Sequence, residues 1–291
     1  MTTGNIKLKL SGHETFHCRQ FWLKKGYDFL NSRHSYADKE AVVELGVGKN
    51  MVASIRFWLE AFGITQDYEV TPWGEKLLAD EGFDPFLEDI GTAWLLHYHL
   101  VKNIEYASIY GMIFNYLRKE RMVFTGSHIK EFLGKQAVGQ PKPNEATLKK
   151  DINVFFKNYL KPKAGTKNSI EDDFSVLLAD LQLIRELPKD SVTNEVSYAI
   201  TNDARPSLPY QIVLFVILEQ YEGQETVDFY RLLTEANGPG AVFALQADDL
   251  FQKIQQIVES YPVVYKDDAG IRTLQFNQPI DKWAVLEEYY G

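Results

Sequence analysis

The stretch that most constrains this chain runs from Asp38 to Thr71. Two helix-like runs are joined there by Gly46-Val47-Gly48, and two helices across so short a turn make a helix-turn-helix. On the second run Met51, Ile55, Trp58, Leu59 and Phe62 recur at helical spacing, which predicts a buried stripe. The other face carries Lys49, Asn50, Ala53, Arg56 and Phe57. A positive, amide-bearing front to a second helix suits the major groove of a duplex. Lys49, Asn50, Ser54 and Arg56 are therefore the first candidate DNA contacts. The bland alternative is a unit that only packs or binds protein.

After Gly63 a polar interval leads to Val70-Thr71-Pro72-Trp73-Gly74. A Thr-Pro-x-Gly phrase there is similar to the close of a short hairpin and the following helix in winged-helix proteins. A net charge of −9 argues superficially against nucleic acid, but the charge is segregated. Residues 118–167 hold 12 Lys/Arg and 4 Asp/Glu, a local balance of +8 that leaves −17 for the remainder. One basic surface on an acidic body is the pattern of a nucleic-acid footprint. Self-pairing of that segment with the acidic remainder is the competing reading.

Within the basic segment, Thr125-Gly126-Ser127 is expected to cap a helix from His128 to Leu133. A Gly/Pro-rich connector then leads to a helix over Asn144–Leu160. Leu148, Ile152, Phe155, Phe156 and Tyr159 form its inward stripe. Lys150, Lys157 and Lys161 share the opposite side, with Asn153 beside them and Lys149 among the lysines around that face, an arrangement that can track phosphates and touch a base edge. Lys142, Lys163 and Lys167 surround that face. Two β-prone runs, Leu183–Leu187 and Val196–Ile200, would supply a wing.

The opening residues offer a different chemistry. Ile6–Leu10 alternates like a short edge strand, and Ser11-Gly12-His13-Glu14 has the form of a capping box opening a helix that stops near Gly26. His13-Glu14-Thr15-Phe16-His17 is a literal H-E-x-x-H, the spacing that places two imidazoles around zinc on one helical face. Nothing upstream leaves room for a cleft, and no third ligand stands out beyond His34 and Glu40, so a structural helix is the favoured reading and zinc hydrolysis the weaker alternative. His97 and His99, two apart, cannot clasp one metal from a helix. A lone Cys18 excludes an internal disulfide framework and fits a reducing compartment. With no apolar signal segment and no run able to span a bilayer, a cytoplasmic location is expected.

Past Pro206 the composition turns acidic. Helices are expected over Leu87–Lys102, Tyr106–Leu117, Leu208–Tyr221, Val227–Glu235, Asp248–Tyr261 and Ile280–Tyr290. Asp267-Asp268-Ala269-Gly270 between two apolar runs predicts a hairpin.

Several phrases together resemble a bacterial and archaeal family known as domain of unknown function 4007. They are Ser11-Gly12-His13-Glu14-Thr15-Phe16 with Arg19 and Trp22-Leu23-Lys24-Lys25, and Leu45-Gly46-Val47-Gly48-Lys49-Asn50-Met51-Val52 with Ser54-Ile55-Arg56. Asp84-Pro85-Phe86-Leu87-Glu88-Asp89, Trp94-Leu95-Leu96-His97-Tyr98 and Gly238-Pro239-Gly240-Ala241-Val242-Phe243 extend the resemblance nearly end to end. His17 departs from the shared pattern. Gly-Val-Gly-Lys-Asn also lacks the spacing of a phosphate-cradling nucleotide loop. The resemblance implies company with sulfurtransferase-like enzymes and phage-defence genes, hence an accessory factor in sulfur modification of DNA or in defence based on it. It supplies no catalytic residues.

The fold expected is mainly α with small β-wings: tandem winged-helix-like helix-turn-helix units plus a C-terminal α+β module. The boundaries fall at 1–104, 105–205 and 206–291. The expected protein is a non-enzymatic binder of duplex DNA, compatible with a homodimer, with no cofactor and no metal. Its DNA contacts are Lys49, Asn50, Ser54, Arg56, Lys149, Lys150, Asn153, Lys157 and Lys161. A scaffold docking a sulfurtransferase-like or nuclease partner is the alternative. His13, Glu14 and Arg19 are expected to form a polar network of undetermined role.

Overall fold

In a computed structural model, residues 7–32, 34–36, 40–137, 139, 141, 143–162, 176–192 and 194–291 are described. The chain is mainly helical, with three small antiparallel sheets among the described residues.

The first third places α1 (Gln20–Asn31), α2 (Ala41–Glu44) and α3 (Lys49–Ala61) around Trp58, Leu59 and Phe62, all fully buried. Gly46 makes the turn between α2 and α3 at φ 58°, a left-handed backbone that glycine adopts without steric penalty. The hairpin of β1 (Thr65–Gln66) and β2 (Glu69–Val70) follows, then α4 (Pro72–Leu78). Thr71 caps α4 through its hydroxyl, which accepts from Gly74 N–H at 3.0 Å, and Pro72 fills the first helical position. The expected phrase does close a hairpin and open a helix.

The opening differs from expectation. Residues 11–18 form no helix; Ser11, Gly12, Glu14 and Thr15 all have positive φ. Residues 7–10 pair in no sheet, although Lys9 exchanges bonds with Ser108 through Lys9 N–H to Oγ (2.7 Å) and Ser108 N–H to the Lys9 carbonyl (3.2 Å). Nor does Gly26 end a helix. It lies inside α1, where an added Cβ would meet Leu59 and Ile55 of α3 within 2.7 Å, so it permits a close helix crossing.

The linking helix α5 (Ile90–Lys102) is capped by Asp89, whose carboxylate accepts from Gly91 N–H at 2.7 Å. The cap explains why the helix begins later than Leu87. Residues 108–120 form α6: Ser108–Met112, a π-helical segment Ile113–Leu117, and Arg118–Glu120. Strand β3 (Val123–Thr125), α7 (Gly126–Gln136) and α8 (Glu145–Tyr159) come next. Thr125 and His128 cap α7 reciprocally, and the Asn144 carboxamide oxygen caps α8. Strands β4 (Arg185–Lys189) and β5 (Val196–Ala199) complete a sheet in the order β3-β5-β4, with Phe124 opposite Tyr198.

The last third follows a similar order with additional helices. Helix α9 (Tyr210–Gln220) buries every residue from Ile212 to Ile217, since an apolar helix without a polar face must be enclosed. The segment expected as one helix over Val227–Glu235 splits into β6 (Thr226–Asp228) and α10 (Phe229–Thr234), with Asp228 capping the helix. After α11 (Pro239–Val242) and α12 (Ala247–Ser260), strands β7 (Val263–Asp268) and β8 (Ile271–Phe276) join β6 in the order β6-β8-β7. Helix α13 (Lys282–Tyr290) closes the chain and packs on α9.

One apolar core runs through all three regions, and Gly238–Phe243 is where they meet. His97 of α5 donates from Nε2 to the Val242 carbonyl at 2.9 Å. Arg118 donates to Ala241 (2.8 Å) and Gly240 (3.4 Å), and Arg205 Nε to Phe243 (3.2 Å). Four successive carbonyls of the tight turn, buried away from water, are thus answered by three long donors from elsewhere.

Candidate nucleic-acid interface

The α8 helix separates its residues cleanly. Leu148, Asp151, Ile152, Val154, Phe155, Phe156, Asn158 and Tyr159 are buried, whereas Lys149, Lys150, Asn153 and Lys157 are exposed. Around the helical wheel those four make one continuous face with Asn153 near its middle. Lys149, Lys150 and Lys157 form no salt bridge among the described residues. Their charge is therefore presented to solvent. Lys161 is exposed but already paired with Asp180 at 2.7 Å, and it follows the helix rather than belonging to it.

The basic stretch is less uniform than its count suggests. Arg118 is buried, donating to the turn carbonyls and to Asn202, and burial with nearby Arg205 lowers its pKa to about 10. Lys130 pairs with Glu145 and Lys135 with Glu131. Lys142, Lys163 and Lys167 lie outside the described residues.

Beside this face a cavity of about 400 Å³ opens between α7, α8 and β5. Its apolar wall includes Ile152, Phe156 and Tyr198, the two rings stacked at 3.6 Å, and its polar rim holds Lys149, Asn153 and Ser127. Glu195, from the residues just before β5, accepts from the Ser127 hydroxyl (2.5 Å) and backbone N–H (3.2 Å) and so occupies the start of α7. Those hydrogen bonds hold its pKa below the usual carboxylate range.

On α3, Lys49 and Asn50 are exposed at the front of the helix and Arg56 is half-buried, its guanidinium 5.5 Å from the Tyr68 ring centroid. Ser54 is a correction: it is 0 % exposed and its hydroxyl has no hydrogen-bond partner, so it offers nothing to an external ligand. Phe57, expected on the open face, is buried as well. Phe57 is covered by the N-terminal segment, with Gly12 and His13 against its ring, and no helical periodicity within α3 reports what another segment lays over it.

His13 is part of that cover. Its ring meets Phe57 edge-on (centroids 5.6 Å) and stacks on Trp58 (6.3 Å). The backbone N–H of Thr15 donates to Nδ1 at 3.2 Å, and Nε2 lies 3.3 Å from Asp151 Oδ1 without the alignment of a hydrogen bond. Ser11 N–H donates to the same oxygen at 2.8 Å. The positive φ of Glu14 and Thr15 breaks the helical geometry that a zinc-binding H-E-x-x-H needs. No three His, Cys, Asp or Glu residues converge in a metal-holding group among the described residues. Glu14 is exposed, the Arg19 guanidinium lies 5.5 Å from the Trp22 ring centroid, and of the expected network His13 lies beside Asp151. Cys18 is fully buried, burial pushes its thiol pKa up, and its backbone N–H donates to Asn158 Oδ1 at 3.0 Å; an inert thiol follows. No helix among the described residues is long and apolar enough to cross a membrane.

Two solved structures share the fold over most of their length. One, described as "Magnesium ion-bound SspB crystal structure", superposes with a TM-score of 0.84 at 27% identity, covering 97% of this chain and 88% of that one. The second, "SspB crystal structure", gives 0.83 at the same identity and coverage. No curated protein sequence matches. The family described as "Protein of unknown function (DUF4007)" matches residues 10–290, and with phrases such as Ser11–Phe16 and Gly238–Phe243 placed at the joints of this fold, the chain belongs to that family.

Proposed function

We propose that this chain is a duplex-DNA-binding protein serving a DNA-modification or phage-defence system, DNA phosphorothioation being the chemistry that fits the family's company. The observation that carries the reading is the exposed α8 face, with Lys149, Lys150 and Lys157 around Asn153 and unused by internal ion pairs among the described residues. Helix, strand, two helices and a hairpin, with sheet order β3-β5-β4, is the connectivity of a winged helix, and α8 stands where such a unit carries its recognition helix. The third region has the same sheet order, β6-β8-β7, with three helices (α10, α11 and α12) instead of two between its first strand and its hairpin, and the reading extends to three winged-helix-like units. In the last of these the equivalent helix α12 presents Asp248, which repels phosphate, while Asp249 is buried and accepts from Arg205 N–H at 3.3 Å, so the third unit faces protein or solvent. The defence setting rests on the company that the family resemblance implies. The reading assigns no catalytic residue and invokes no metal.

The test is fluorescence anisotropy of labelled duplex against the purified protein over a range of salt. Affinity should fall steeply as salt rises, and each of Lys150→Glu and Lys157→Glu should weaken binding similarly on unrelated sequences while flattening the salt slope by about one. An unchanged slope in both variants refutes the α8 assignment.

A second reading is a docking scaffold for a sulfurtransferase-like or nuclease partner. It draws on Phe21 and Phe86, 67% and 57% exposed, with Gln20, next to Phe21, donating from Nε2 to the Phe86 and Leu87 carbonyls (3.1 and 3.0 Å). Under that reading Phe21→Ser abolishes partner capture and leaves DNA affinity alone.

A further inference from the structure

The segment from Ser11 to Thr15 is costly to build. Ser11, Glu14 and Thr15 hold φ of 69°, 48° and 73°, each a conformation that costs a non-glycine residue on the order of 1 kcal/mol. Gly12, at φ 105°, approaches so closely that a Cβ would sit 2.6 Å from the Phe57 ring. Strain of this kind persists only where the surroundings over-determine it. Here the surroundings are two helices from different units. On one side the strap lies on α3, Gly12 against Phe57 and His13 against Phe57 and Trp58. On the other it is tied to α8, because Ser11 N–H donates to Asp151 Oδ1 at 2.8 Å and His13 Nε2 lies 3.3 Å from the same oxygen.

Asp151 is buried in the middle of the helix that carries the lysine face, and its second oxygen has no hydrogen-bond partner. A leucine there would bury more simply. The carboxylate is justified by what it grips. Farther along, Asn158 of α8 accepts from Cys18 N–H and donates to Tyr110 OH at 2.7 Å, so the same helix holds the outgoing chain as well. On the helical wheel Asn50 and Ala53 flank Phe57 on α3, and Lys150 precedes Asp151 on α8.

We propose that the Ser11–Thr15 strap is a positioning device: through His13 and Asp151 it fixes the α3 face and the α8 face at one spacing, so that the chain grips two successive stretches of a single duplex. The inference rests on the DNA reading above and adds to it that two helices act together. His13 and Asp151 are positioning residues and touch no nucleic acid.

Two measurements separate the inference from the reading beneath it. Spin labels at Lys49→Cys and Lys157→Cys, with buried Cys18 left unlabelled, report the distance between the two faces without any DNA. The intact strap gives one narrow distance distribution; His13→Ala broadens it, and Asp151→Asn, whose Oδ1 still accepts from Ser11 N–H, broadens it less. A distribution equally narrow in His13→Ala overturns the proposal whatever the DNA result.

The second measurement compares duplexes of about 10 and about 25 base pairs. Linked engagement predicts at least about tenfold tighter binding to the longer one, beyond the statistical gain in sites. His13→Ala should keep the short-duplex affinity and lose the length gain, which general destabilisation would not produce. A full length gain in His13→Ala, or none in the unmodified chain, overturns the two-helix grip. Absence of binding to either duplex overturns the DNA reading itself and the grip with it, while the label distances still decide whether the strap fixes the helices.

Discussion

His97 donates its Nε2 proton to the carbonyl of Val242 at 2.9 Å, and its Nδ1 accepts from the Tyr159 hydroxyl at 2.8 Å. A carbonyl can only accept, so the proton lies on Nε2 and the neutral ring is the form that satisfies both neighbours. Burial lowers the His97 pKa to about 3, helped by Arg205 and Arg118 and opposed by the Val242 bond.

Acid sensitivity follows from that tautomer. A histidine whose folded pKa lies below its unfolded value near 6.5 contributes stability above about pH 6.5, and loses it as pH falls toward the folded value. His99, stacked on Trp73 and lowered to about 4 by burial, acts in the same direction. Stability measured by urea unfolding should therefore drop from about pH 7 to about pH 5, with a limiting slope on the order of 1.4 kcal/mol per pH unit for each ring. His97→Phe should reduce that slope by about one proton. It should also cost about 2–4 kcal/mol at neutral pH, since the Val242 carbonyl and Tyr159 hydroxyl lose their partner. A slope unchanged by the substitution would falsify the assignment.

Gly240 makes the turn beneath His97 possible. A Cβ there would lie 2.3 Å from the Leu233 carbonyl oxygen, and backbone cannot swing aside as a side-chain tip can. Gly240→Ala should destabilise the chain by about 2 kcal/mol or more. Thermal melting gives the answer, and an unaltered midpoint would mean the turn is looser than described.

Ser54 tests the boundary of the α3 surface. Its buried hydroxyl lacks a partner, so Ser54→Ala removes an unsatisfied group at nearly constant volume. The variant should be as stable as the original or more stable by up to about 1 kcal/mol, with unchanged DNA affinity. Weakened DNA binding at equal stability would return Ser54 to the interface.

The tip of the first hairpin carries a local conflict. Asp67 and Tyr68 both have positive φ (52° and 71°), as a two-residue turn of the mirror-image type requires, and glycine is the preferred second residue. Tyr68 stands there instead, 60% exposed, its N–H held by Glu60 Oε1 at 3.0 Å. Tyr68→Gly should raise stability by about 0.5–1 kcal/mol, reduced by the exposed contact with Arg56. If calorimetry finds the glycine variant less stable, the ring contributes more packing than its exposure implies.

Local signals alone determined much of this protein. The stripe through Ile55, Trp58 and Leu59, the caps at Thr71, Thr125 and Asn144, and the hairpin around Asp267–Gly270 are all encoded within a few residues. Side-chain periodicity and capping chemistry act over one or two turns, so they are legible in the chain itself. The α8 lysine face was legible for the same reason, because the buried stripe of one helix defines its open side.

Tertiary structure decided what lies against what. Phe57 was sealed by a strap more than forty positions upstream, and Ser11–Thr15 gave up a plausible capping box for left-handed turns held by Phe57 and Asp151. Thr226–Asp228 became a strand because β8, about forty-five residues later, offered it an edge. Arg118 left the basic surface for the carbonyls of a turn over 120 residues away. Each outcome is a contact between segments remote in sequence, and its free energy depends on desolvation and on partners that no local pattern names.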